Sequence, residues 1–261
     1  MALGRSCRES YMTERFSPLH NQLLAALPSE VQERLFPHLK LIRLPLGKLI
    51  HQPGNVPRNV YFPIDAIISL IYVMDSGASA EIAIIGKDGL AGLSVIMGGE
   101  ITNSRTVVQS AGHAYQLDNQ RFRDEFDRHG ALLELMLRYI QTLMDQMAQT
   151  AVCNRFHTID QQFCRWLLHS LDRLPGDQLV MTQELIANML GVRREGVALA
   201  ARKLHKQGVI EYNRGRIKVL NRPALERLSC ECYAAIKEEA ERLLPYPADQ
   251  KSQTSWRCGK A

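Results

Sequence analysis

The sequence predicts an α+β fold in three consecutive parts: an N-terminal β-barrel of the jelly-roll kind, one long helix, and a C-terminal helical unit closed by a hairpin. Three observations predict it. From Lys40 to about Asp118, the apolar runs KLIRL, KLIHQ, NVYFPIDAIISLIYVM, AEIAII, LSVIM, RTVVQS and HAYQL alternate with Gly, Pro, Asn and Asp, as strands between turns do. From Asn119 to about Leu174 the texture is helical, and from Thr182 to Val219 two amphipathic segments precede two short strands about an Asn-Arg-Gly turn. Many short strands at close spacing argue for a closed sheet rather than βαβ units. Such a barrel has room for one small ligand.

Ahead of the barrel, two short helices are expected between Ser17 and Leu41. Ser17 caps the first, Pro18 sits in its first turn, Pro28 closes it, and Ser29 offers the second cap. Within the barrel, Gly47, Gly54, Asp75 to Gly77, Gly86, Gly89, Gly98 and Gly99 punctuate the strands. In the helical region, Leu133, Met136, Ile140, Leu143 and Met147 recur at spacings of three and four, the seam of a coiled coil. The long helix is therefore expected to join two copies, leaving Leu132, Leu135, Leu137 and Tyr139 to pack on the barrel. LPGDQ, from Leu174 to Gln178, reads as a linker.

Beyond the linker, Thr182 is placed to cap a helix whose buried face is Leu185, Ile186 and Leu190. Val192, Val197, Ala200, Ala201 and Leu204 give a second helix its packing face. Helix, turn, helix and β-wing make a winged helix-turn-helix. A charged helix through LERLSCECYAAIKEEAERLL follows, then a polar tail, PADQKSQTSWRCGKA, whose composition suits disorder. The expected divisions are 17–130 for a sensor barrel, 131–155 for the dimer helix, 156–235 for the winged helix-turn-helix, and 236–261 for a helical extension and tail.

Composition narrows the function. With 261 residues, 46% hydrophobic and 23% charged, the chain has material for two packed cores. No run approaches the ~18 apolar residues of a membrane span. MALGRSCRESYMTER has no apolar signal core, so a cytoplasmic protein without a membrane partner is expected. Cys7, Cys153, Cys164, Cys230, Cys232 and Cys258 form neither a paired CxxC zinc set nor a disulfide framework, so reduced thiols and no metal are expected. Cys153 and Cys164 read either as a redox pair or as buried packing. No phosphate loop, nucleophile elbow, H-E-x-x-H pair or carboxylate dyad occurs, so the chain is not expected to be an enzyme.

The net charge of +5 is unevenly spread: Met181 to Arg222 holds nine basic residues against three acidic ones, leaving the remainder slightly acidic. That excess points to a polyanionic partner for one segment. In GVRREGVALAARKLHKQGVI, residues 191–210, Arg193, Arg194 and Glu195 fall at the N-terminal end of the second helix, the end that meets base edges in helix-turn-helix complexes. Arg pairs bidentately with guanine and Glu accepts from cytosine. Lys203, Lys206, Arg214 and Arg216 suit phosphates, and Thr182, Gln183, Val197 and Arg202 complete the expected DNA-facing set.

The order of barrel, long helix and winged helix resembles the Crp/Fnr family of bacterial transcription regulators over about Leu23 to Tyr233. The most specific stretch is TQELIANMLGVRREGVALAARKLHKQGVIEYNRGRIKV, with Gly47 and Gly54 echoing the barrel's spaced glycines. The resemblance implies a cyclic-nucleotide-binding-like barrel and a homodimer reading a palindromic operator in double-stranded DNA through a recognition helix at about 192–206. RNA polymerase is a further partner it implies. Arg194 and Glu195 become base readers and Arg193 a base or phosphate contact. Many members carry a second Arg where this chain has Leu199, so a different half-site is expected.

The effector cassette also departs from the family. Arg105-Thr106 is kept, but Gly89 is followed by Leu90 and Gly92 by Leu93, so the carboxylate that takes a ribose hydroxyl is missing. Cyclic AMP is therefore not expected; the candidates left are a different phosphate-bearing small molecule on Arg105, or haem with His51 and His113 as axial ligands. Alternatively, Arg105 makes a structural ion pair. The competing reading of the whole chain is a barrel-bearing regulatory subunit whose basic segment contacts a protein.

Overall fold

The computed structural model describes residues 16–98 and 104–244. Cys7, Gly99, Cys258 and the polar tail lie outside the described residues. The chain forms two compact units: one holds the chain up to Ser69 together with Ile85–Glu134, the other holds Leu70–Ile84 together with Leu135 onward.

In the first unit, Ser17 caps a 3-10 turn, Pro18–His20, its hydroxyl accepting from the Leu19 amide. Helices α1 (Gln22–Ala25) and α2 (Ser29–Leu35) follow. The buried Asn21 does what the sequence reading did not foresee. Its Oδ1 accepts from the Leu23 and Leu24 amides, and its Nδ2 donates to the carbonyls of Pro63 and Gly89 at 2.9 and 2.8 Å. One amide side chain thereby satisfies a helix start and ties it to two carbonyls far away in the chain. Ser29, expected as a cap, instead opens α2; Pro28 holds the cap position, which has no side-chain hydrogen bond.

Seven strands build the barrel: β1 (Lys40–Leu44), β2 (Leu49–His51), β3 (Asn59–Pro63), β4 (Ile67–Val73), β5 (Ser79–Ile85), β6 (Arg105–Ser110) and β7 (Gly112–Asp118). They form two sheets, ordered β1-β7-β3 and β2-β6-β4-β5. In the first sheet, central Tyr115 lies opposite both Leu41 and Phe62 in antiparallel register. Leu44, Val60, Phe62, Ile67, Ile68, Leu117 and Phe122 are fully buried core residues. Burial of this many large side chains, at about 1.5–3 kcal/mol each, is the main force holding the sheets together.

Two expected strands differ. NVYFPIDAIISLIYVM divides into β3 and β4 because the chain bends at Asp65, whose carboxylate accepts from the His113 amide and pairs with the His113 ring at 3.2 Å. LSVIM is a 3-10 turn, Leu93–Val95, entered through Gly92 at φ +108°. A Cβ on Gly92 would also meet the Asn59 carbonyl at 3.1 Å, so glycine is needed there for space as well as for φ. Helix α3 (Asn119–Phe126), capped by Asp118, closes this part. Its Glu125 pairs with Arg34 at 2.6 Å.

The long helix α4 spans Ala131–Phe156. Helix α5 (Ile159–Arg173) starts afresh at a Thr158/Gln161 capping box, which satisfies orphan amides at its first turn. In the second unit, α6 (Gln183–Leu190) and α7 (Arg194–Lys206) are followed by the hairpin β9 (Ile210–Asn213) and β10 (Arg216–Val219). LPGDQ, expected as a linker, leads directly into β8 (Gln178–Val180), which completes a three-stranded sheet ordered β8-β10-β9. The single charged helix expected near the C-terminus is instead two: α8 (Arg222–Leu228), capped by Asn221, and α9 (Cys232–Leu243). Ser229 turns extended between them, at ψ 166°.

The β4–β5 hairpin tip belongs to this unit. Trp166 Nε1 on α5 donates to Glu81 Oε1 on β5 at 3.0 Å, and Gln146 Oε1 on α4 accepts from the Ile84 amide at 3.0 Å. Among the described residues no helix is long and apolar enough to cross a membrane.

Candidate nucleic-acid interface

The interface is built from two short helices and a wing. Thr182 caps α6, its side chain accepting from the Leu185 amide, and Gly191 ends that helix in the left-handed conformation at φ +65°. A glycine is needed there twice over, because an added Cβ would lie 3.2 Å from Ala80. Ile186, Ala187, Met189 and Leu190 from α6 and Val197, Ala200, Ala201 and Leu204 from α7 are buried. Leu185, expected on the buried face, is exposed.

With that face of α7 committed to packing, its other residues are free to reach outward. Arg193, Arg194 and Glu195, at the N-terminal end of α7, are all exposed, as are Arg202 and Lys206 farther along. Leu199 is 50% exposed on the same helix. Val197 is the exception among the expected DNA-facing residues: it is fully buried, because it faces the helix partner rather than solvent.

The wing turn is Arg214-Gly215, both at positive φ, 46° and 77°, the two-residue geometry that matches strand twist. Arg214 and Arg216 are exposed. Thr182, Gln183, Arg194, Tyr212, Arg214 and Gly215 line one groove, so the start of α6, the start of α7 and the wing turn converge. Tyr212 fixes the wing against this groove by donating to the Met181 carbonyl at 3.0 Å. Lys203, by contrast, pairs with Asp160 at 2.6 Å, so part of its charge is already used inside the chain.

Of the expected seam on α4, Leu133, Ile140 and Met147 are half-buried, whereas Met136 and Leu143 are buried within the chain's own core. In its first four turns α4 exposes Leu137 and Met144, each 56% accessible, and near its end Val152 and Phe156. Leu133, Leu137, Ile140, Met144 and Met147 therefore form the outward stripe. The sequence pattern alone did not separate it from its neighbour, because both stripes repeat by three and four.

The effector candidates do not share one surface. Leu90 is fully buried and Thr106 nearly so, while Arg105 is exposed at the start of β6. Gly89 offers its carbonyl to Asn21, and Gly92 and Leu93 form the 3-10 turn. Of the two histidines considered for haem, His113 is engaged by Asp65, and His51 is buried against the Tyr61 ring, its proton affinity lowered by burial. Cys164 is a buried thiol whose pKa burial pushes up to about 12. Cys153 lies beside Cys230, 3.6 Å sulfur to sulfur although 77 positions apart in the chain, a juxtaposition with no local sequence signal.

Comparison with known proteins agrees with this geometry. Residues 161–228 match the Crp-like helix-turn-helix domain family. No curated protein matches the chain in sequence. Among solved structures, FixK2 from Bradyrhizobium japonicum superposes with a TM-score of 0.64 at 15% identity, covering 74% of this chain and 98% of that one. A putative transcriptional regulator of the Crp/Fnr family from Eubacterium rectale gives 0.62 at 17% identity, covering 80% and 98%. The c-di-GMP responsive global regulator CLP from Xanthomonas campestris gives 0.59 at 16%, covering 74% and 99%. At such identities the likeness establishes the fold.

Proposed function

We propose that this chain, which has the fold of Crp/Fnr-type regulators and carries a Crp-like helix-turn-helix domain, is a homodimeric, sequence-specific DNA-binding transcription regulator. One observation carries the reading: Arg193, Arg194 and Glu195 are exposed at the start of a helix whose opposite face is buried, with the wing residues Arg214 and Arg216 exposed nearby. In this reading Arg194 and Glu195 read base edges in the major groove, each good bidentate pair contributing about 1–3 kcal/mol of discrimination. Arg193, Arg202, Lys206, Arg214 and Arg216 position the backbone. Thr182 and Gln183 approach a phosphate from the start of α6, and Lys203 contributes after exchanging Asp160 for phosphate.

The dimer forms along the exposed stripe of α4, and its two-fold symmetry asks for a palindromic operator. Activity is set by the barrel, whose Leu90 and Leu93 replace the acceptor that cyclic AMP needs. The test is the salt dependence of duplex binding. Affinity that falls linearly on a log–log plot, with a slope near −0.9 per phosphate contact, supports a DNA-facing basic segment. Weak, salt-independent duplex binding alongside tight binding to a protein would favour the regulatory-subunit reading.

A further inference from the structure

Four side chains meet where α4 ends and where the α8–α9 joint passes it. Cys153 and His157 are four residues apart, the His157 amide bonding to the Cys153 carbonyl, so both side chains project from one face of the last helical turn. Cys230 and Cys232 flank Glu231 in the joint that breaks the expected C-terminal helix. Cys153 and Cys232 are fully buried and Cys230 is 5% exposed.

The ligand atoms of these four residues lie within 4.8 Å of one another. Cys153 Sγ and Cys230 Sγ are 3.6 Å apart, and Cys232 Sγ and His157 Nδ1 are 3.4 Å apart. A tetrahedral zinc ion with Zn–S of ~2.3 Å and Zn–N of ~2.0–2.1 Å requires edges of about 3.8 Å between sulfurs and about 3.6 Å between sulfur and nitrogen. The cluster is therefore already close to the size of a coordination shell.

The surroundings have the same character. His157 points Nδ1 at the cluster and Nε2 at the Glu231 carboxylate, 3.2 Å away. That is the carboxylate–histidine arrangement that fixes the tautomer and orientation of a metal-ligating imidazole. Gln149 Nε2 donates to Cys232 Sγ at 3.0 Å, as an amide does to a thiolate, and Gln162 Nε2 holds the turn by donating to the His157 carbonyl at 2.9 Å.

We propose that Cys153, His157, Cys230 and Cys232 form a closed Cys3His site for a thiophilic divalent metal, zinc in the first instance, tying the end of α4 to the α8–α9 joint. Four protein ligands leave no open position, so the metal's role is structural rather than catalytic. On binding, the three thiols lose their protons to solvent, neutral Nδ1 supplies the fourth electron pair, and no electron is transferred. This assignment does not depend on what the basic helix contacts.

The test is metal analysis of the full-length chain, purified under reducing conditions from zinc-supplemented cells. One zinc per chain is expected, falling below a tenth of that in Cys230→Ser/Cys232→Ser and in His157→Asn, and unchanged in Cys164→Ser. Replacing the metal with cobalt should give the visible absorption of a tetrahedral thiolate complex. His157→Cys, which keeps four ligands, should retain one metal per chain with a shifted cobalt spectrum, separating ligation from mere misfolding. Each of three results would overturn the proposal: reactive thiols with no bound metal in the reduced wild-type chain, a Cys153–Cys230 disulfide recovered from it, or iron with sulfide in place of zinc.

Discussion

Trp166 Nε1 donates to Glu81 Oε1 at 3.0 Å, joining the tip of the β4–β5 hairpin to the middle of α5, with both residues buried. The same hairpin reaches α6, where Ser79 Oγ lies 3.5 Å from the Asn188 carbonyl and Ala80 lies under Gly191. Trp166→Phe should destabilise the chain by about 1–3 kcal/mol, since it removes a hydrogen bond to a buried carboxylate. In a double-mutant cycle by denaturant unfolding, Glu81→Leu, which removes the acceptor, should show coupling to Trp166→Phe of about 0.5 kcal/mol or more. Additive changes would mean that the contact contributes nothing.

The outward stripe of α4 should control assembly. Leu137→Asp/Met144→Asp is expected to give monomers that remain folded, because both positions are exposed in a single chain. Met136→Asp or Leu143→Asp should unfold the chain instead, each placing a charge inside the core. Sedimentation combined with circular dichroism separates the two outcomes; a dimer that survives the first pair moves the interface elsewhere.

Arg194→Ala should flatten base preference at one position of each half-site while leaving most nonspecific affinity intact, a loss of about 1–3 kcal/mol in discrimination. Leu199→Arg should add a preference at a second position, since Leu199 is exposed on the same helix. Binding selections on the variants test both, and an unchanged Arg194→Ala preference would remove Arg194 from the readout.

Acid should weaken the fold through His169. Burial lowers its proton affinity well below the ordinary histidine value, with Arg173, Arg165 and Lys237 adding to the effect. The unfolded chain then binds the proton more tightly, so stability falls as pH drops below about 6.5, by up to about 1.4 kcal/mol per pH unit. His169→Leu should flatten the decline in Tm between neutral and mildly acidic pH. An unaltered slope would assign acid sensitivity to other groups.

Cyclic AMP should leave operator affinity unchanged. Leucine, Leu90 or Leu93, stands in either register where the resemblance asks for a ribose-binding carboxylate; Leu90 is fully buried and Arg105 is exposed. A tenfold gain in titrations with the nucleotide would contradict this reading of the barrel.

The readability of the sequence followed the range of the interactions. Local signals were legible: Thr182 as a cap and the Arg214-Gly215 turn each declare themselves within a few residues. The alternation of strands was legible too, although Gly92 and the bend at Asp65 depend on Asn59 and His113, which lie far away in the chain. The choice between Met136 and Leu137, or Leu143 and Met144, was not legible, because helical periodicity gives a stripe without saying which side meets the rest of the fold. Val197, legible both as a packing residue and as part of the DNA-facing set, is buried. The Cys153–Cys230 approach had no local signature, and Cys230-Glu231-Cys232 lacked the spacing of a familiar zinc motif.

A binding-site selection with the full-length chain on random duplexes decides whether the basic helix reads DNA as a two-fold pair. One palindrome is expected, with half-sites centred about 10–10.5 base pairs apart and affinity that falls steeply with salt. Recovery of no preferred sequence, or of a preference without two-fold symmetry, would contradict that expectation.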